Sequence, residues 1–147
     1  MDDKDRESKM AKFMKKIKYE VKELEVHFDK RGWLVEMLKK NELPEEIKQI
    51  YVATLKPRQV RGNHYHLKRI EWFFVIGKKA KLYLEDIKTK KRTCLKVSSK
   101  KPKVMTVFPK IAHALKNLSK ETIYLISAQN TIYNPKNPDT FPYYLVK

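Results

Sequence analysis

The stretch Val60-Arg61-Gly62-Asn63-His64-Tyr65-His66-Leu67-Lys68-Arg69-Ile70-Glu71-Trp72-Phe73-Phe74-Val75-Ile76-Gly77 decides how this chain is read. His64 and His66 are two apart in a run of β character, so on a strand both imidazoles face one side and Tyr65 the other. Glu71 opens the apolar run that follows, and in an antiparallel pair it can return opposite the histidines. Trp72 and Phe74 alternate with Glu71, Phe73 and Val75, as residues packing a sheet do. Gly77-Lys78-Lys79 is expected to fold the run back onto Ala80–Leu84 as a hairpin.

Outward from this stretch, short β runs recur between turns. Val21–Phe28 and Trp33–Leu38 flank Asp29-Lys30-Arg31-Gly32, and Pro44–Ile47 reads as one helical turn with proline near its start. Further runs lie at Gln49–Leu55, Val60–His66, Ala80–Ile87, Thr93–Val97, Val104–Phe108, Ala112–Asn117 and Thr122–Gln129. Many short strands with no long helix between them predict an all-β antiparallel sandwich or barrel. A parallel sheet would need crossovers of a dozen or so residues that are missing here. Residues 1–18 read as a separate charged segment. Met10, Phe13, Met14 and Ile17 fall at helical spacing, and a frayed tail fits the same residues. Residues 19–147 are expected to form one domain that ends in an extended segment marked by Pro135, Pro138 and Pro142.

Composition narrows the function classes. The chain has 147 residues, enough to bury a core without a disulfide or structural metal. Its single cysteine, Cys94, excludes an internal disulfide framework and reads as a small buried apolar residue. No apolar run approaches the ~20 residues of a membrane span, and Met1–Lys18 lacks a signal-peptide core. A cytoplasmic protein without a membrane partner is therefore expected. Lys plus Arg number 34 against 17 Asp plus Glu, a net +17 that fits an anionic small-molecule ligand or a lysine-rich solvated surface. The basic residues are scattered over turns and tails, with no aromatic platform to stack bases, so nucleic acid is not the expected partner.

The fourth element of the chemistry is His113, four residues after Pro109. Three imidazoles and one carboxylate, His64, His66, Glu71 and His113, converging inside a barrel would hold one first-row divalent ion. His27, alone beside Phe28, reads as an ordinary histidine, and Trp33 as a core residue.

These residues carry a resemblance. His64-x-His66, Glu71 and Gly77 resemble the first motif of the cupin superfamily, and Pro109, His113 and Asn117 the second. The fold so implied is a double-stranded β-helix, a small antiparallel barrel. Arg58, Lys110 and Ala114 stand where that pattern has glycines. Asp29-x-Arg31-Gly32-x-Leu34-x-Glu36, Gln49, Arg61-Gly62-x-His64 and Tyr133-x-Pro135 are similar to the dTDP-4-dehydrorhamnose 3,5-epimerases. That similarity implies a homodimer exchanging its first segment, Arg31, Glu36, Gln49 and Arg61 as substrate contacts, and His64 as base. Ile126 stands where those epimerases have their tyrosine acid, and Ile70 replaces their lysine. Arg61-Gly62-Asn63-His64-Tyr65-His66, Glu71 and the tail from Tyr133 to Thr140 resemble more closely the cupin domain of bifunctional capsular-polysaccharide enzymes. This implies a zinc-type metal, with iron, manganese or nickel compatible, and a nucleotide-linked keto-sugar as substrate.

The expected reaction is epimerisation or isomerisation by proton abstraction next to the ketone. Bound to a metal, His64 has no lone pair for the proton, and Tyr83, Tyr124 or a hydroxide would carry it. Without a metal, His64 or His66 would be the base. A non-catalytic sugar-binding cupin and a metal-dependent oxygenase use the same residues and remain the alternatives.

Overall fold

The computed structural model describes residues 18–147 together with Lys4. The expected helical stretch at Met10, Phe13, Met14 and Ile17 lies outside the described residues. The strands are β1 (Tyr19–Glu23), β2 (His27–Asp29), β3 (Gly32–Leu34), β4 (Gln49–Leu55), β5 (Val60–Tyr65), β6 (Glu71–Ile76), β7 (Ala80–Asp86), β8 (Arg92–Val97), β9 (Lys103–Val107), β10 (Ile111–Asn117), β11 (Ile123–Gln129) and β12 (Phe141–Pro142). A short 3-10 turn at Lys40–Glu42 precedes β4. Among the described residues no helix is long and apolar enough to cross a membrane.

Two five-stranded antiparallel sheets form the barrel, in the orders β1-β9-β6-β11-β4 and β12-β5-β10-β7-β8. The alternation within each strand builds the core between them. Phe73 and Val75 of β6, Leu82 and Leu84 of β7 and Leu115 of β10 point inward into one apolar cluster. Trp72 and Phe74 point the other way, where Val35, Met37, Leu38, Leu43 and Ile47 cover them. Both faces of β6 are therefore buried, which explains its unbroken apolar run. The outer face of the second sheet is covered by the C-terminal segment, with Leu145, Tyr143 and Val146 over Ala112 and Ala114. The all-β double-stranded β-helix expected from the motifs is the fold observed.

Several local expectations need correction. β6 and β7 do not form a hairpin, because β6 pairs with β9 and β11 whereas β7 pairs with β8 and β10. Gly77-Lys78-Lys79 is a corner between the sheets, held where the Gly77 N–H donates to Ser99 Oγ at 2.7 Å. Val21–Phe28 is likewise not one strand. β1 leaves its partner β9 after Glu23, and β2 pairs with β3 in a separate two-stranded ribbon. Beyond Leu34 the chain stops pairing and lays side chains on the first sheet instead. Pro44–Ile47 is not helical. The turn lies just before it, and Leu43 is extended (φ −95, ψ 135), as a residue preceding proline prefers. Trp33 is 44% exposed on the ribbon, and Cys94 is exposed on β8, an edge strand.

Two positions where the cupin pattern has glycine keep the glycine conformation without the glycine: Arg58 has φ 64 and Lys110 φ 66. A left-handed conformation strains a residue bearing a Cβ by about 1–2 kcal/mol, and the added freedom of unfolded glycine cancels part of the relief. Lys110→Gly is therefore expected to raise stability by about 0.5–1 kcal/mol, read as a higher urea midpoint at unchanged slope.

Candidate functional site

β5 and β10 pair so that His113 lies opposite His64, and the register then slips between His113 and Ala114. Gly62 makes that slip possible. Its φ is +102, and a Cβ built there would stand 2.6 Å from the His113 carbonyl oxygen. Across the interior Glu71, at the start of β6, points inward with Phe73. Glu71 thus meets the histidines from the facing sheet rather than from a strand paired with β5. Ring centroids are 4.7 Å apart for His64–His113, 4.9 Å for His64–His66 and 5.3 Å for His66–His113. One ligand atom from each of the three rings lies within 4.8 Å of the others, close enough for one metal ion.

The hydrogen bonds set the ring orientations. His66 Nδ1 lies 2.6 Å from the Asp139 carbonyl oxygen, and His113 Nδ1 lies 3.1 Å from that of Ile111. A carbonyl oxygen only accepts, so each Nδ1 carries a proton, and in the neutral ring Nε2 is left with a bare lone pair. Those nitrogens face a carboxylate, with His66 Nε2 3.4 Å from Glu71 Oε1 and His113 Nε2 3.1 Å from Oε2. Both Nε2 atoms and Glu71 Oε2 are buried without a hydrogen-bond partner. A bare lone pair aimed at an anion repels it, so the cluster calls for a positive charge between rings and carboxylate, either a proton on Nε2 or a bound ion. Donor atoms about 2.1 Å from a tetrahedral zinc stand about 3.4 Å apart, which matches the two distances.

Burial alone would raise the Glu71 carboxyl, but in the metal-free cluster hydrogen bonds and positive charge from His113 and His66, protonated at Nε2, outweigh it and hold the group far below the usual carboxylate range. Arg69, itself buried, adds its Nη1 at 3.6 Å from Glu71 Oε1. His64 is pulled down to about 3 by burial and by the neighbouring His113 and His66, so its ring is neutral near pH 7.

A pocket of about 470 Å³ opens beside the cluster, lined by His64, His113, Arg61 and Tyr51 and walled by Phe73, Leu82, Met105 and Leu125. Arg61 is fixed at this pocket by its Nε donating to the Thr54 carbonyl at 3.0 Å. The other expected site residues stand elsewhere. Tyr83 packs on the outer face of the second sheet beneath the C-terminal segment, and Tyr124 is exposed on the outer face of the first. Gln49 accepts from Tyr133 N and Gln129 Nε2 at the end of β4. Arg31 bonds Asp29 at the tip of the ribbon, and Glu36 pairs with Lys39 just beyond it.

Three contributors were not singled out in the sequence. Tyr51 brings the pocket its phenol, pushed up to about 12 by burial and by the charge of Glu71. Alternation puts Tyr51 on one face of β4 with Gln49, Ala53 and Leu55, and the structure turns that face inward although Ile50 and Val52 make the other as apolar. Ile126, at the epimerases' tyrosine position, faces outward, while its neighbour Ser127 pairs with Tyr51. Arg69 carries no pattern of its own, and Asp139 stands in the tail motif without a role that the sequence assigns.

Comparison with known proteins identifies the family and the fold. A curated relative, the UDP-2-acetamido-2,6-beta-L-arabino-hexul-4-ose reductase of Pseudomonas aeruginosa, is 28% identical over 116 residues, covering 79% of this chain. The chain spans only 30% of that reductase's length. The spore coat polysaccharide biosynthesis protein SpsL of Bacillus subtilis is 32% identical over 126 residues, covering 81% of this chain and 83% of SpsL. Among solved structures, the sugar 3,4-ketoisomerase QdtA of Thermoanaerobacterium thermosaccharolyticum, in complex with TDP, superposes with a TM-score of 0.71 at 17% identity, over 86% of this chain and 88% of QdtA. That likeness establishes the shared barrel. Residues 27–141, which contain every member of the cluster, match the family described as Polysaccharide biosynthesis C-terminal domain, and the chain belongs to that family.

Proposed function

We propose that the pocket binds a nucleotide-linked keto-sugar and moves a proton on the carbon next to its ketone. The observation that carries this reading is the buried pair of unpartnered imidazole nitrogens facing Glu71 beside an apolar-walled pocket. His66 and His113, oriented by carbonyls behind the rings, would with Glu71 hold one divalent ion, zinc by donor type, in an arrangement that leaves the His64 lone pair free. When bound, such an ion supplies Lewis acidity toward a ketone oxygen.

The chain's own groups do the rest. Burial keeps the His64 ring neutral, and among the described residues no hydrogen bond fixes either nitrogen, which suits it to accept the proton as base. Tyr51, pushed up to about 12, is protonated at neutral pH and is placed to return one as acid. The Arg61 guanidinium, oriented by Thr54, suits the diphosphate in charge and shape. Phe73, Leu82 and Met105 give the pocket its apolar wall. The names of the reductase and the ketoisomerase, both concerned with keto-sugars, support the same substrate class. The reading includes two chains working together. Arg31 and Glu36 stand away from their own pocket, and Phe28, Leu34, Ile50 and Val52 are exposed apolar residues that a second copy would cover.

The test is solvent exchange. Incubated in D2O with a UDP- or dTDP-linked 4-keto-6-deoxyhexose, the protein is expected to raise the sugar's mass by one unit. Tyr51→Phe should slow turnover by about 10²-fold or more. A sugar that is bound yet takes up no deuterium would reduce the protein to a binder and overturn the reading.

A further inference from the structure

The tail motif Pro138-Asp139-Thr140 is used by no step above, yet it reaches the back of the histidine cluster. Asp139 grips the turn after β5 with its carboxylate, where Oδ1 accepts from Leu67 N at 2.9 Å and Oδ2 from Lys68 N at 3.0 Å and Arg69 N at 3.2 Å. The same residue's carbonyl oxygen is the one 2.6 Å from His66 Nδ1. One residue can present both groups to one turn because its φ is 47, in the left-handed region. Asparagine and aspartate tolerate that region better than most residues. The neighbouring Pro138 carbonyl accepts from Arg69 Nη2 at 3.3 Å, while Arg69 Nη1 lies 3.6 Å from Glu71.

We propose that Asp139 is a positioning residue: it latches the chain's last segment onto the turn after β5 and so fixes the tautomer and orientation of His66 for the metal. This inference rests on the metal reading above. The carboxylate does not touch the ring. It holds the turn that carries His66 and the carbonyl that faces Nδ1 in register. Without it, three N–H groups lose their acceptor and the carbonyl is free to move away. Groups that orient a metal-binding histidine from behind typically change metal affinity by about 10–100-fold. Linkage makes the effect reciprocal, so bound metal must tighten the latch.

The experiment is a zinc titration of the full chain by calorimetry, with amide hydrogen exchange measured with and without zinc. Asp139→Ala is expected to weaken zinc by about 10–100-fold, and Asp139→Asn, which keeps one acceptor oxygen, to recover part of that loss. Zinc should slow exchange at Leu67, Lys68 and Arg69 in the unaltered protein. Tyr143→Phe loosens the same tail elsewhere, by removing the Tyr143–Glu85 bond of 2.6 Å, and should leave zinc affinity within about twofold. Zinc binding by the unaltered protein with equal affinity in Asp139→Ala, or an equal loss in Tyr143→Phe, would overturn the latch alone. Absence of zinc binding by the unaltered protein would overturn the metal centre, and the latch with it. If Asp139→Ala does not fold, the asparagine variant and the exchange data decide, and exchange at 67–69 that ignores zinc counts against the proposal.

Discussion

Zinc is expected to raise the melting temperature of the unaltered protein by roughly 5–10 °C, and His113→Ala and Glu71→Gln to abolish that rise. Ligand at about 100 times its dissociation constant adds about 2.7 kcal/mol to stability, and a chain of this size melts about 2–4 °C higher per kcal/mol. Each variant removes one of the donors standing 3.1 Å apart across the cluster, and a loss of zinc affinity of more than about 100-fold is expected from either. The two differ in the metal-free protein. His113→Ala leaves a cavity and destabilises at every pH. Glu71→Gln acts through charge: the folded-state carboxyl lies below its ordinary 4.5, so its contribution is present above that value and lost as pH falls through the folded pKa. The cost of Glu71→Gln, measured with chelator present, should therefore be full at pH 7 and shrink below about pH 4.5. A zinc-induced rise that survives in both variants would remove these residues from the metal site.

Gly62→Ala is the second large effect. The backbone there has φ +102, and an added methyl would meet the His113 carbonyl oxygen at 2.6 Å, a backbone atom that cannot swing aside. The expected cost is about 2–4 kcal/mol, because strain at φ and overpacking add. The strand bearing His113 must shift to relieve the clash, so zinc affinity should fall with stability. Gly32 is the internal control. It has φ +135 but nothing within 4 Å of an added Cβ, so Gly32→Ala bears only the backbone strain, about 1–2 kcal/mol. Urea unfolding of both variants checks the ranking, and equal costs would mean that β10 does not approach Gly62 closely enough to resist a methyl group.

How much of this was legible follows from what each signal reports. Alternation in β4, β7 and β11 and the spacing of His64, His66, Glu71 and His113 report which side chains share a face, and that information survives folding unchanged. Pairing was less legible. Gly77-Lys78-Lys79 has the length and composition of a hairpin loop, and only the pairing of β6 with β9 and β11, both distant in sequence, sends the chain to the other sheet. Trp33–Leu38 and Pro44–Ile47 depart from expectation for a related reason, since the apolar side chains of this region serve the outer face of a sheet they do not join. Tyr83 and Tyr124 were chosen by type, whereas the pocket takes its phenol from Tyr51 because β4 turns that face inward. Asp139 stands in the tail motif, but its role is not legible there because its partners lie some 70 positions earlier and are backbone groups.

The interleaving of the two sheets also shapes how this chain is made. β6 lies between β9 and β11, and both follow it in sequence. As the chain leaves the ribosome at roughly 5–20 residues per second, Trp72-Phe73-Phe74-Val75-Ile76 stays unpaired for seconds, without a charge or a proline to discourage association between nascent copies. Lys68 and Arg69 before the run and Lys78 and Lys79 after it are gatekeepers against aggregation. Part of the chain's large positive charge thus protects the strand that later carries Glu71 to the histidines.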